Sequence, residues 1–163
     1  MDTSRSEEFF RVMMSQSPRA YSHVYGSDRY PEIAGMVLFF ETERGTVVFA
    51  EFQNLPVAAG ECTQDFFGFH IHEGGSCSGN EADPFANTGE HLNPYHCPHP
   101  EHMGDLPVLL SAMDGYAWTV FFTDKFMPRD VAGKTIVVHR MPDDFMTQPS
   151  GNSGEKIACG MIF

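Results

Sequence analysis

Six of the eight histidines of the chain crowd into two neighbouring stretches. His70 and His72 stand in GFHIHEGGSC; His91, His96, His99 and His102 stand in GEHLNPYHCPHPEHMGD, which closes on Asp105. A seventh, His139, ends the apolar run TIVVH, and only His23 stands apart. An imidazole titrates near neutrality and packs poorly, so such a crowd points to a common purpose, metal binding. His91, His99 and His102 with Asp105 form a nitrogen and oxygen set of the kind a tetrahedral zinc accepts. His70 and His72 are two apart on a strand-like run, which aims both at one face about 7 Å apart. One metal can take both, although a His-x-His pair by itself more often makes two half-buried polar contacts. His139 supplies a further imidazole from a distant segment.

The elements that must carry these residues are mostly strands. Short apolar or alternating runs lie between glycine, proline and aspartate punctuation. Strands are predicted at 20–25, 35–41, 46–53, 67–72, 117–123, 135–139 and 157–162, with a hairpin across Glu43, Arg44 and Gly45. Turns at this spacing predict an all-β sandwich or barrel. Residues 6–14 are the exception, because Phe9, Phe10, Met13 and Met14 recur at helical spacing. The short helix they predict packs on the barrel or on a partner subunit. The expected division is an N-terminal extension over 1–18 and one barrel domain over 19–163. A chain of 163 residues, 42% hydrophobic and 13% aromatic, suits one sizeable core. Phe66, Phe67, Trp118, Phe121 and Phe122 are expected in that core or at an interface.

A formal charge of −12 argues against nucleic acid and anionic membranes as partners, since both demand a basic footprint. No apolar run approaches the roughly 18 residues of a membrane span. The opening MDTSRSEEFFRVMM has acids where a secretory signal carries a basic and then an apolar stretch, so the chain as given is expected in the cytoplasm. Four cysteines, Cys62, Cys77, Cys97 and Cys159, allow three pairings if all are bridged.

The segments GFHIHE, GEHLNP, HPEHMGDLP, GKTIVVH and GNSGEKIACG, in that order, resemble the copper-zinc superoxide dismutases over about 20–163. The resemblance implies a Greek-key β-barrel, copper and zinc as cofactors, and superoxide as substrate, converted to dioxygen and hydrogen peroxide. It assigns His70, His72, His91 and His139 to copper and His91, His99, His102 and Asp105 to zinc. His91 is then the shared imidazolate, which releases copper and holds a proton in the reduced state. His96 competes for the place given to His99, which the spacing from His91 favours. Asp143 matches a carboxylate that hydrogen-bonds one ligand ring on each metal, although Pro142 and Asp144 also suit a plain turn aspartate. Cys77 and Cys159 match the family disulfide. For Cys62 and Cys97 the order of expectation is a second disulfide, two free thiols, then an adventitious ligand at Cys97.

Lys156 is the clearest departure, standing where the family usually carries arginine beside the copper channel. It is expected either to act there as a mobile, hydrated point charge with loose anion docking, or simply to face solvent. Ser150 takes the place of a small hydroxyl residue at the channel, or serves as a turn serine. The stretch 140–155 is bare of lysine, so with the net charge steering of an anion is expected to be weak. A homodimer is possible. A non-catalytic copper and zinc binder on the same fold is the competing function; a zinc-only module leaves His139 without a reason.

Overall fold

The computed structural model describes residues 4–58, 60 and 66–163. Its strands are β1 (Ala20–Gly26), β2 (Ala34–Thr42), β3 (Gly45–Gln53), β4 (Phe66–Phe67), β5 (Phe69–His72), β6 (Leu109–Leu110), β7 (Ala117–Thr123), β8 (Thr135–His139) and β9 (Lys156–Met161). Two helices accompany them, α1 (Ser4–Ser15) and α2 (Pro128–Val131). The chain is mostly β, as its turn punctuation predicts. The run expected as one strand over 67–72 is broken at Gly68 into β4 and β5, while β6 and α2 carried no clear pattern in the sequence.

The seven-stranded antiparallel sheet runs in the order β5-β8-β9-β1-β2-β3-β7. A bridge from Ser111 to Ala117 ties β7 to the segment of β6, and β6 pairs β4, which leads straight back into β5. The sheet thus curls into a ring. The chain crosses from β3 to β4 and from β7 to β8 between strands that are not neighbours, a Greek-key path.

The alternation of side chains explains which face fills the ring. Val37, Phe39, Val48, Ala50, Phe52, Phe69, Ile71, Ile136, Val138 and Ile157 are all buried in one core. β5 and β8 break the alternation, since every residue in both is buried. Their inward residues join the core, and their outward residues, His70 and His72 on β5 and Val137 and His139 on β8, lie under the long loops. That is why TIVVH reads as continuous apolar sequence.

The helix forms over a slightly longer span than its period predicted and packs on the barrel. Phe9, Val12 and Met13 cover Phe40, Val47 and Phe122 on the outer face of β2, β3 and β7, with Phe9 stacked on Phe122 at 4.7 Å. Among the aromatic residues expected in the core or an interface, Phe67 is buried, Phe121 packs on the core from its edge, Phe122 lies under the helix, and Phe66 and Trp118 are exposed. Among the described residues, no helix is long and apolar enough to cross a membrane.

Candidate metal centre

Two buried groups of four side chains meet at one end of the ring. His70, His72, His91 and His139 place ligand atoms within 4.8 Å of one another, and so do His91, His99, His102 and Asp105. His91 belongs to both groups. His96 is exposed and lies outside them, as does His23 on the outer face of β1.

The rings of His70, His72, His99 and His139 each commit one nitrogen to the protein. His72 and His139 donate from Nδ1 to the carbonyls of Gly89 (2.9 Å) and Gly154 (3.2 Å), and their Nε2 atoms lie 3.2 Å apart. Asp143 accepts from His70 Nε2 at 2.7 Å and from His99 Nε2 at 2.9 Å, one carboxylate oxygen for each. His91 Nδ1 lies 2.7 Å from Asp105 Oδ1, which leaves Nε2 for the first group. Among the described residues, the buried ring nitrogens that make no hydrogen bond are His70 Nδ1, His91 Nε2, His99 Nδ1 and His102 Nδ1, the last two lying 3.0 and 3.4 Å from Asp105 Oδ2. A buried ring nitrogen left without a partner is costly unless something else takes its lone pair. Two metal ions, one per group, fit this donor set.

The backbone holds the arrangement in place. Ile71, between His70 and His72, donates to the Gly104 carbonyl (2.9 Å); Gly104 donates to Leu92 (2.9 Å); Leu92, next to His91, donates back to Ile71 (2.8 Å). This closed cycle of three hydrogen bonds welds β5 to both loop segments that carry ligands. A Cβ on Gly104 would collide with the Ile71 carbonyl, so the close approach requires glycine there. Gly151 is in the left-handed region (φ 67°) and packs its backbone directly against Asp143.

Burial also sets protonation. It pushes the His70 imidazole down to about 4, against the upward pull of Asp143, and holds His72 and His139 well below the ordinary histidine range. His102 is lowered by burial as well. Burial works against the Asp143 carboxylate, yet hydrogen bonds from His70, Phe145 N–H and His99 keep it well below the usual range. Asp105 is lowered in the same way, chiefly by His91 acting against burial. Neutral imidazoles and ionised carboxylates are the forms that bind metal. In the unfolded chain these histidines take up protons near 6.5, before the folded ones do. Stability of the metal-free protein is therefore expected to be complete above about pH 6.5 and to fall as pH drops toward 4. Melting curves of metal-free protein at several pH values check this, and a midpoint that stays level or rises on acidification contradicts it.

A cavity of about 340 Å³ opens over the shared ring, lined by His72, His91, His139, Ser150, Lys156 and Glu90 among others. Lys156 lines this cavity rather than facing solvent, and its ammonium is paired with protein groups. Its side chain is 16% exposed, and its Nζ donates to Asp83 Oδ2 at 3.1 Å and to the Phe85 carbonyl at 3.3 Å. Cys77 and Cys159 are joined, with Cα atoms 5.7 Å apart across a sequence separation of 82. Cys97 is a free, half-buried thiol, so the second disulfide placed first among the expectations is not formed. Cys62 lies outside the described residues.

A family model described as copper/zinc superoxide dismutase matches residues 33–162. The chain belongs to the copper/zinc superoxide dismutase family. It is 32% identical over 152 residues to a superoxide dismutase [Cu-Zn] of Deinococcus radiodurans, covering 83% of this chain and 80% of that one. The corresponding figures for the Escherichia coli protein are 33% over 145 residues, covering 78% of each. Among solved structures it superposes on the Cu/Zn superoxide dismutase from Brucella abortus with a TM-score of 0.73 and 25% identity, covering 88% of this chain and 99% of that one. The clock protein EA4 matches equally well in fold, with a TM-score of 0.72 and 28% identity over 90% of this chain and 95% of that one. The family makes copper and zinc the cofactors and the chain an oxidoreductase of the dismutase type.

Within this dismutase frame several supporting groups escaped the sequence reading. The carbonyls of Gly89 and Gly154 fix the His72 and His139 tautomers, and no residue type announces such a role. Gln148 clasps the His99 backbone, accepting from its N–H (3.0 Å) and donating to its carbonyl (2.6 Å). Lys125, beyond β7, donates to the carbonyls of Pro100 (3.3 Å), His102 (3.0 Å) and Asp105 (3.4 Å). It thereby gathers the segment that carries His102 and Asp105. Lys125→Met is expected to weaken zinc about tenfold, the lower end of what a lost supporting contact costs, and to leave copper affinity nearly unchanged. Competition of each metal against a coloured chelator measures this; equal weakening of both metals, or of neither, contradicts it.

Proposed function

We propose that this chain dismutes superoxide, converting two superoxide anions and two protons to dioxygen and hydrogen peroxide. The observation that carries the reading is His91, a single ring shared by two buried ligand sets at the floor of an open cavity. In this reading copper, held by His70, His72, His91 and His139, supplies one-electron oxidation and reduction, and zinc, held by His91, His99, His102 and Asp105, supplies a fixed positive charge. The remaining work falls to side chains of the chain itself. His91 keeps Nδ1 turned to Asp105, so its Nε2 is the atom that takes up and gives back a proton beside the substrate. Asp143 keeps the rings of His70 and His99 from rotating. Lys156 offers the cation at the cavity wall, and Glu90 together with the overall charge opposes anion entry.

The test is superoxide decay after pulse radiolysis, on protein loaded with copper and zinc and across a range of salt. A fast decay that zinc-only protein lacks, with a weak or inverted salt dependence, is the expected result. Decay no faster than in buffer, with both metals bound, overturns the proposal. It would favour a non-catalytic copper and zinc binder on the same fold.

A further inference from the structure

We propose that Asp83 is a positioning residue that seats the Lys156 ammonium and, by its charge, lowers the pull of the metal cavity on anions. The proposal rests on the dismutase reading for its biological sense and on local geometry for its substance. Asn80 Oδ1 accepts from the N–H groups of Ala82 and Asp83 (2.9 and 3.0 Å), which shapes a tight turn. Asp83 Oδ1 then accepts from the Phe85 N–H at 3.0 Å, and its other oxygen faces Lys156 Nζ at 3.1 Å. The Phe85 carbonyl completes the seat from the same turn. The turn belongs to the loop anchored by the Cys77–Cys159 bridge, and Phe85 packs on Val137 and Cys159. One short loop therefore decides where Lys156 sits, the one lysine or arginine that lines the cavity among the described residues.

The seat has an electrostatic cost. The acid that fixes the ammonium also cancels much of its field at the cavity. The neighbouring cation, Arg29, does not replace it, because its guanidinium is paired with Glu155 at 2.8 Å and donates to the Glu81 carbonyl. Glu155 is further engaged by the Tyr30 hydroxyl. On the other side Glu90 adds negative charge. Both the position and the strength of the cationic lure are thus set by Asp83.

Asp83→Asn separates the two effects, since an amide oxygen can still accept from the Phe85 N–H or from the ammonium while the negative charge is gone. Azide affinity of the copper- and zinc-loaded protein, read from the visible absorption of copper, is expected to tighten about fivefold at low ionic strength. The gain is expected to fade at high salt. Lys156→Met is expected to weaken azide binding, because the cation that the seat holds is gone. Unchanged azide affinity in either variant overturns the proposal. An azide shift of the expected kind in a protein without dismutation upholds the Asp83 seat and overturns only the catalytic reading.

Discussion

Asp143→Ala is expected to release copper and zinc together, weakening each by about ten- to a hundredfold. The residue is 4% exposed and gives one carboxylate oxygen to His70 and the other to His99, one ring from each ligand set. Without it both rings lose the contact that commits Nε2 to the protein and leaves Nδ1 for metal. Asparagine discriminates further. Its single oxygen can accept from one ring, but its NH2 group demands an acceptor from the other, which forces that ring to carry its hydrogen on Nδ1. Asp143→Asn is therefore expected to spare one metal and weaken the other. Chelator competition for each metal decides the matter, and loss of a single metal in the alanine variant contradicts the bridging role.

Cys77→Ser is expected to cost about 4 kcal/mol, from the loop entropy that an 82-residue closure removes from the unfolded chain. For a domain of this size the thermal midpoint falls by about 10 °C. The loss is not only entropic. The bridge holds the loop that lays Phe85 over Val137 and carries the seat of Lys156. Calorimetry with and without a reductant checks the prediction, because the parent protein in reductant should approach the variant in oxidising buffer. A shift of a degree or two contradicts it.

A metal centre was legible because its chemistry is unusual for packing: seven histidines in and near two loops have few other uses, while their division between copper and zinc came from family resemblance. The strands from Ala20 to Gln53 were legible from their alternation and their turn residues. The bridging role of Asp143 and the pairing of Cys77 with Cys159 came from family resemblance, since a turn aspartate and four cysteines leave several choices open. Lys125, Gln148 and Asp83 were invisible for a common reason. Each acts on a backbone group or side chain brought near by the closure of the ring, and such pairings leave no period or motif. What holds Lys156 was invisible because residue type alone says how a lysine behaves in water, not that a carboxylate and a carbonyl wait for it. The break between β4 and β5 was missed because Gly68 gave no more warning than any glycine beside a strand.

The cycle of hydrogen bonds among Ile71, Leu92 and Gly104 bears on which ions the protein accepts. A frame fastened by main chain is complete before any ion arrives and does not wait for the correct one to shape it. Nitrogen donors hold divalent copper more tightly than zinc, so preformed pockets of this kind give copper the advantage even at the position meant for zinc. Affinity by itself is then a poor sorter. The correct pair of ions depends on how much of each the surroundings supply, and in what order.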